Sequence, residues 1–80
     1  MTVYAERSIN DDGNVYISIE NDQEDFDAIA VGIEYDEAND LFVIDTVNVF
    51  TGEVDTSFEY TREEIVALRD AINELLEDKE

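Results

Sequence analysis

Hydrophobic positions recur with a period of two along most of the chain, the spacing of strands that bury one face. Residues 3–9 alternate loosely, residues 10–14 (Asn-Asp-Asp-Gly-Asn) supply turn chemistry, and Val15, Ile17 and Ile19 then alternate with Tyr16, Ser18 and Glu20. This pattern predicts a β-hairpin. After an acidic connection at 21–27, Ile29, Val31, Ile33 and Tyr35 share one face of a third strand, and Ala28, Ala30, Gly32 and Glu34 share the other. Residues 36–40 read as a second turn. The following stretch, 41–50, is apolar on both faces in its first half, which predicts a central strand with room for a bulge. Thr51-Gly52-Glu53 then turns the chain into 54–60, where Val54, Thr56, Phe58 and Tyr60 oppose Asp55, Ser57 and Glu59.

The period changes to 3.6 after Thr61. Thr61 and Glu64 are spaced as a capping box, and Glu63 and Glu64 suit the positive end of a helix dipole. Ile65, Leu68, Ile72, Leu75 and Leu76 form an apolar stripe, so one amphipathic helix is expected over roughly 62–78, lying across the sheet. The expected fold class is α+β: an antiparallel sheet of about five strands with one C-terminal amphipathic helix packed on one face. With no proline, repeat or linker to divide it, residues 1–80 are expected to form a single domain.

Candidate chemistry is limited by what is missing. The chain has no His and no Cys, which removes the usual general base, the thiol nucleophile, disulfides and soft metal sites. Ser8, Ser18 and Ser57 have no activating base, and one sheet with one helix offers little cleft for a carboxylate pair. No enzymatic activity, no cofactor and no metal site are expected. An EF-hand alignment on Gly13 puts Ser8, Asn10 and Asp12 at ligand positions but Ile19 where a bidentate Glu is required, so it fails. Met1 is followed by Thr-Val-Tyr-Ala-Glu, without a basic segment and apolar core, and no stretch is apolar enough to span a bilayer. These features predict a cytoplasmic protein without membrane contact.

Charge changes the picture most. Twenty-three Asp and Glu against four Lys and Arg give a net charge of -19, yet 44% of residues are hydrophobic and fall in periodic runs. The reading is a folded domain whose surface repels nucleic acid and anionic lipid and attracts basic proteins. Along the helix, Asp70, Glu74 and Asp78 are spaced four apart, and Glu63, Asp70 and Glu77 seven apart. Like-charged neighbours at such spacing oppose folding by about 0.2–0.5 kcal/mol each. Solubility alone is better served by mixed signs, so charge kept against that cost points to a functional reason. The acids expected to meet a partner fall in three groups: Glu20, Asp22, Glu24, Asp25 and Asp27; Glu34, Asp36, Glu37 and Asp40; and Asp55 with Glu59. Alternate strand residues repeat every ~6.8 Å and strands lie ~4.8 Å apart. DNA carries a charge every ~3.4 Å of axis per strand, so carboxylates on a sheet can imitate a phosphate row at coarse scale. Phe26, set among acids, is either a core anchor for the loop, the favoured reading, or an exposed contact, while Tyr4 and Tyr16, on the polar faces, either contact a partner's Arg or pack across the sheet.

In size, absence of cysteine, acidity and sheet-plus-helix layout the chain resembles the phage-encoded DNA-mimic inhibitors, a class that includes anti-restriction proteins, anti-CRISPR proteins and uracil-DNA glycosylase inhibitors. The resemblance is to a class and extends over the whole chain as composition. It implies a stoichiometric inhibitor in the host cytoplasm that occupies the basic nucleic-acid-binding surface of a host defence nuclease. Two other readings stand beside it. One is adaptation to high salt, which fits a single Lys against three Arg, although eight Ile and six Asn fit it poorly. The other is a small acidic interaction module, with charge serving solubility and a homodimer formed through an open sheet edge or the helix.

Overall fold

The computed structural model of the chain describes residues 2–22 and 29–79. Its first hairpin forms because Asn10 closes the turn with its own side chain: Asn10 Oδ1 accepts from the backbone N–H of Asp12 (3.1 Å) and Asn14 (3.0 Å). Gly13, at φ +81°, takes the left-handed conformation that a side chain disfavours. Strand β1 (Val3–Ile9) thereby folds back on β2 (Val15–Asn21) with Ile9 opposite Val15 and Val3 opposite Asn21. Strands β3 (Ile29–Asp36), β4 (Leu41–Asn48) and β5 (Val54–Thr61) continue the meander, in the order β1-β2-β3-β4-β5 with every neighbour antiparallel. Helix α1 (Arg62–Lys79) follows β5 directly. This is the α+β architecture that the two periodicities predict.

Two strand details differ from the sequence pattern. Strand β4 ends at Asn48, short of Phe50, because Asn48 Oδ1 accepts from the backbone N–H of Phe50 (3.0 Å) and Thr51 (3.1 Å) and so starts the turn itself. Gly52, at φ +73°, completes that turn by donating to the Asn48 carbonyl at 2.8 Å. The register also slips between Thr46 and Val47, so that Thr46 faces Thr56 but Val47 faces Val54. The extra residue, Asp55, is accommodated by a bulge, and Val54 leaves the face shared by Thr56, Phe58 and Tyr60.

Cross-strand partners share a face, so the register sorts the sheet into two sides. One carries the row Ile17, Ile33, Ile44, Phe58 and the neighbouring row Tyr35, Phe42, Tyr60. Helix α1 lies on this apolar side, with Ile65, Leu68 and Ile72 above Ile33, Phe42 and Ile44. Its N-terminus is fixed by the capping box: Glu64 N–H donates to Thr61 Oγ1 at 3.2 Å, and Thr61 N–H donates to Glu64 Oε1 at 2.9 Å. The helix makes its close backbone approach to β4 and β5 only, a narrower contact than a helix lying across the whole sheet. Little of the apolar material is removed from water. Among the described residues the one buried hydrophobic side chain is Ala30, 6% exposed. No described helix is long and apolar enough to cross a membrane.

Candidate acidic binding face

The second side of the sheet is built from the residues that alternate with the apolar rows. The row Glu6, Ser18, Gly32, Asp45, Ser57 crosses all five strands, and the next row runs Tyr16, Glu34, Val43, Glu59. Glu20, opposite Tyr4, lies at the far end of β2. Six strand carboxylates, Glu6, Glu20, Glu34, Asp36, Asp45 and Glu59, therefore lie on one side, while the opposite side of the sheet carries no Asp or Glu among the described residues. The alternation of strand side chains turns a sequence-wide acidity into a one-sided one.

Tyr16 sits at the middle of this acidic side. Its ring lies over Gly32, where an added Cβ would come within 2.6 Å of the Tyr16 Cζ, so the absence of a side chain at 32 is what lets the ring lie flat across the sheet. Of the two readings of Tyr16, packing across the sheet is the one observed. Burial raises the Tyr16 pKa above its ordinary 10.0, and the charges of Asp45, Glu20 and Glu34 raise it further, because a phenolate there would face three carboxylates. Glu20 and Glu34, from separate stretches of sequence, thus converge with Asp45 around one ring.

The structure separates the sequence-predicted acids by what else they do. Asp22 Oδ1 accepts from the Thr2 backbone N–H at 3.0 Å and ties down the start of β1. Glu34 Oε2 accepts from Asn14 Nδ2 at 2.9 Å, and Asp36 accepts from Asn39 Nδ2 at 2.8 Å within its turn. Asp40 is held most firmly. At φ +52° it occupies the left-handed region, and its Oδ1 accepts from Arg62 Nη2 and from the Tyr35 hydroxyl, both at 2.8 Å. The hydrogen bond from Arg62, then that from Tyr35, holds the Asp40 carboxyl below the usual carboxylate range. Arg62 also lies over the Tyr35 and Phe42 rings, 5.6 and 5.7 Å from their centroids, locking the helix start to the β3–β4 turn. Asp40 is consequently a neutralised structural carboxylate. Among the described residues no side-chain hydrogen bond engages Glu20, Glu37, Asp55 or Glu59. Glu20, Glu34 and Glu59 share the acidic side, Glu37 lies in the β3–β4 turn and Asp55 in the bulge. Glu24, Asp25 and Asp27, with Phe26, lie outside the described residues.

Sequence reasoning missed Glu6 and Asp45. Each is a single acid flanked by other residue types, and acidic runs drew attention elsewhere; only the register shows them on one row. Asp45 is the more telling, since its Oδ1 is shut off from solvent with no hydrogen-bond partner among the described residues. A carboxylate so placed opposes folding. Among the described residues no cluster of His, Cys, Asp or Glu has the geometry to hold a metal ion.

No protein-family model matches this chain, and neither does any curated protein or solved structure.

Proposed function

We propose that this protein is a stoichiometric, non-enzymatic inhibitor of the DNA-mimic type, acting in the cytoplasm, whose acidic sheet face occupies the basic nucleic-acid-binding surface of a host defence nuclease of the anti-CRISPR or anti-restriction target kind. The observation that carries the reading is the segregation of charge: Glu6, Glu20, Glu34, Asp45 and Glu59 project from one side of a sheet whose other side bears no acid among the described residues. The side under the helix excludes acids because it is apolar and covered, so the charge the sheet does carry is gathered on a single open face. A twisted sheet with carboxylates two strands (~9.6 Å) apart, as Glu34 and Glu59 are, presents a rigid negative grid of the kind a phosphate-binding cleft accepts. Nucleic acid itself and anionic membranes are repelled by a charge of -19.

The test is capture of a basic partner from bacterial lysate on immobilised protein, followed by titration of labelled duplex DNA bound to that partner. The expected result is one-for-one displacement of the DNA, weakening steeply as salt rises. A partner that holds DNA and this protein at once and independently would show that the acidic face does not replace nucleic acid.

A further inference from the structure

The apolar side of the molecule is unfinished. Along α1 the stripe opens steadily, from half-buried Ile65 to Leu68 (41% exposed), Ile72 (48%) and Leu75 (66%), and Val3, Ile9 and Phe58 on the sheet are exposed as well. Between helix and sheet lies an open groove of about 330 Å³, floored by Ile33, Phe42 and Ile44. The chain exposes 6295 Å² at a mass of 9.1 kDa. A compact monomer of that mass exposes only ~4,900 Å², which leaves an excess of about 1,400 Å² per chain. The radius of gyration agrees, at 13.9 Å against ~11.6 Å for a compact chain of this length.

We infer that a second copy of this chain covers the apolar side, the helix stripe and the adjoining acid-free sheet face of each copy forming one shared core in a two-fold symmetric dimer. Three observations select a second copy as the occupant. An interface that covered an area equal to that excess on each copy would remove about 2,800 Å² in total, within the ~2,000–5,000 Å² range of permanent homodimers. The surface is self-complementary in the sense that a two-fold interface requires, carrying both protruding apolar side chains (Leu75 and Leu76) and a groove lined by Ile33, Phe42 and Ile44. Charge decides the orientation. With the carboxylates on the other side of the sheet and on the outer face of the helix, this is the face on which two chains of charge -19 meet without opposing acids, and it carries Arg7. A basic foreign protein is instead steered to the acidic side. The dimer does not rest on the inhibitor reading. It leaves both acidic faces outward.

The two interactions have opposite salt dependence. Two like-charged copies repel at long range, so salt tightens the dimer, whereas it weakens capture by a basic target. Sedimentation equilibrium of the full chain between about 20 mM and about 500 mM NaCl should give a mass near 18 kDa, with dissociation favoured at the low-salt end. Leu75→Glu should raise the dimer dissociation constant at least ~100-fold, by setting an unpaired carboxylate in an apolar interface. Glu59→Gln on the opposite face should leave it unchanged or tighten it. The thermal midpoint of the wild type should rise with protein concentration, a readout that holds even if the separated Leu75→Glu chain unfolds. A folded wild type of 9.1 kDa at every concentration and salt, a larger closed assembly, or a folded Leu75→Glu chain with an undiminished dimer would each overturn the inference.

Discussion

Asp40 and Asp45 show how differently one side chain can be used in an acidic protein. Asp40 has Arg62 and Tyr35 as donors, and its depressed pKa means that it favours the fold above its unfolded value, ordinarily 3.8, and loses that contribution as pH falls through the lower folded value. Asp40→Asn should therefore reduce stability at neutral pH, with the gap to wild type closing in acid, as chemical denaturation at a series of pH values would show. The same substitution should lower the Tyr35 pKa, which is raised chiefly by its hydrogen bond to Asp40, and ultraviolet titration of the phenol reads that directly. At the alkaline end the sign reverses. The raised Tyr16 and Tyr35 favour the fold below their ordinary 10.0 and lose that contribution as pH climbs through their higher folded values. Asp45 has no such partner. Asp45→Thr replaces the unpartnered acceptor with a β-branched residue opposite Ser57, and should stabilise the chain by about 1 kcal/mol in urea while weakening displacement of DNA from the partner.

At the scale of elements, the helix is made by its first turn. Thr61→Ala removes the acceptor for the Glu64 N–H and should cost about 1 kcal/mol, measurable as a shift of the urea midpoint with an unchanged slope. That cap, like the strands, was legible in the sequence, because Thr-x-x-Glu before a 3.6-residue stripe and period-two runs between Asn/Asp/Gly clusters are local signals with local causes. What was not legible depends on pairing. The end of β4 falls at Asn48 because a side chain there captures two backbone donors, and the bulge at Asp55 reflects a cross-strand register no single strand encodes. The acidic face was half-legible for the same reason. Glu20, Glu34 and Glu59 stood out in or near acidic clusters, whereas Glu6 and Asp45 join them only when five strands are laid side by side. Asp40, prominent in the sequence among the acids of the second turn, is withdrawn by Arg62, twenty-two residues away.

The whole molecule is two-sided, and each side has a consequence. Its acid-free side leaves Val3, Ile9, Phe58, Ile72 and Leu75 exposed, the surface on which the proposed second copy would sit. Its acidic side brings Glu20, Glu34 and Asp45 from three successive strands around Tyr16, at the expense of repulsion that a mixed-charge surface would avoid. The most direct measurement of that division compares two charge-matched variants in the DNA-displacement titration: Glu20→Gln, Glu34→Gln and Glu59→Gln together on the sheet, and Asp70→Asn, Glu74→Gln and Glu77→Gln together on the helix. If the acidic face is the binding surface, the sheet variant loses at least ~10-fold in potency, about 1.4 kcal/mol, and the helix variant loses much less. Equal losses would mean that only the overall field matters and would contradict a defined acidic epitope.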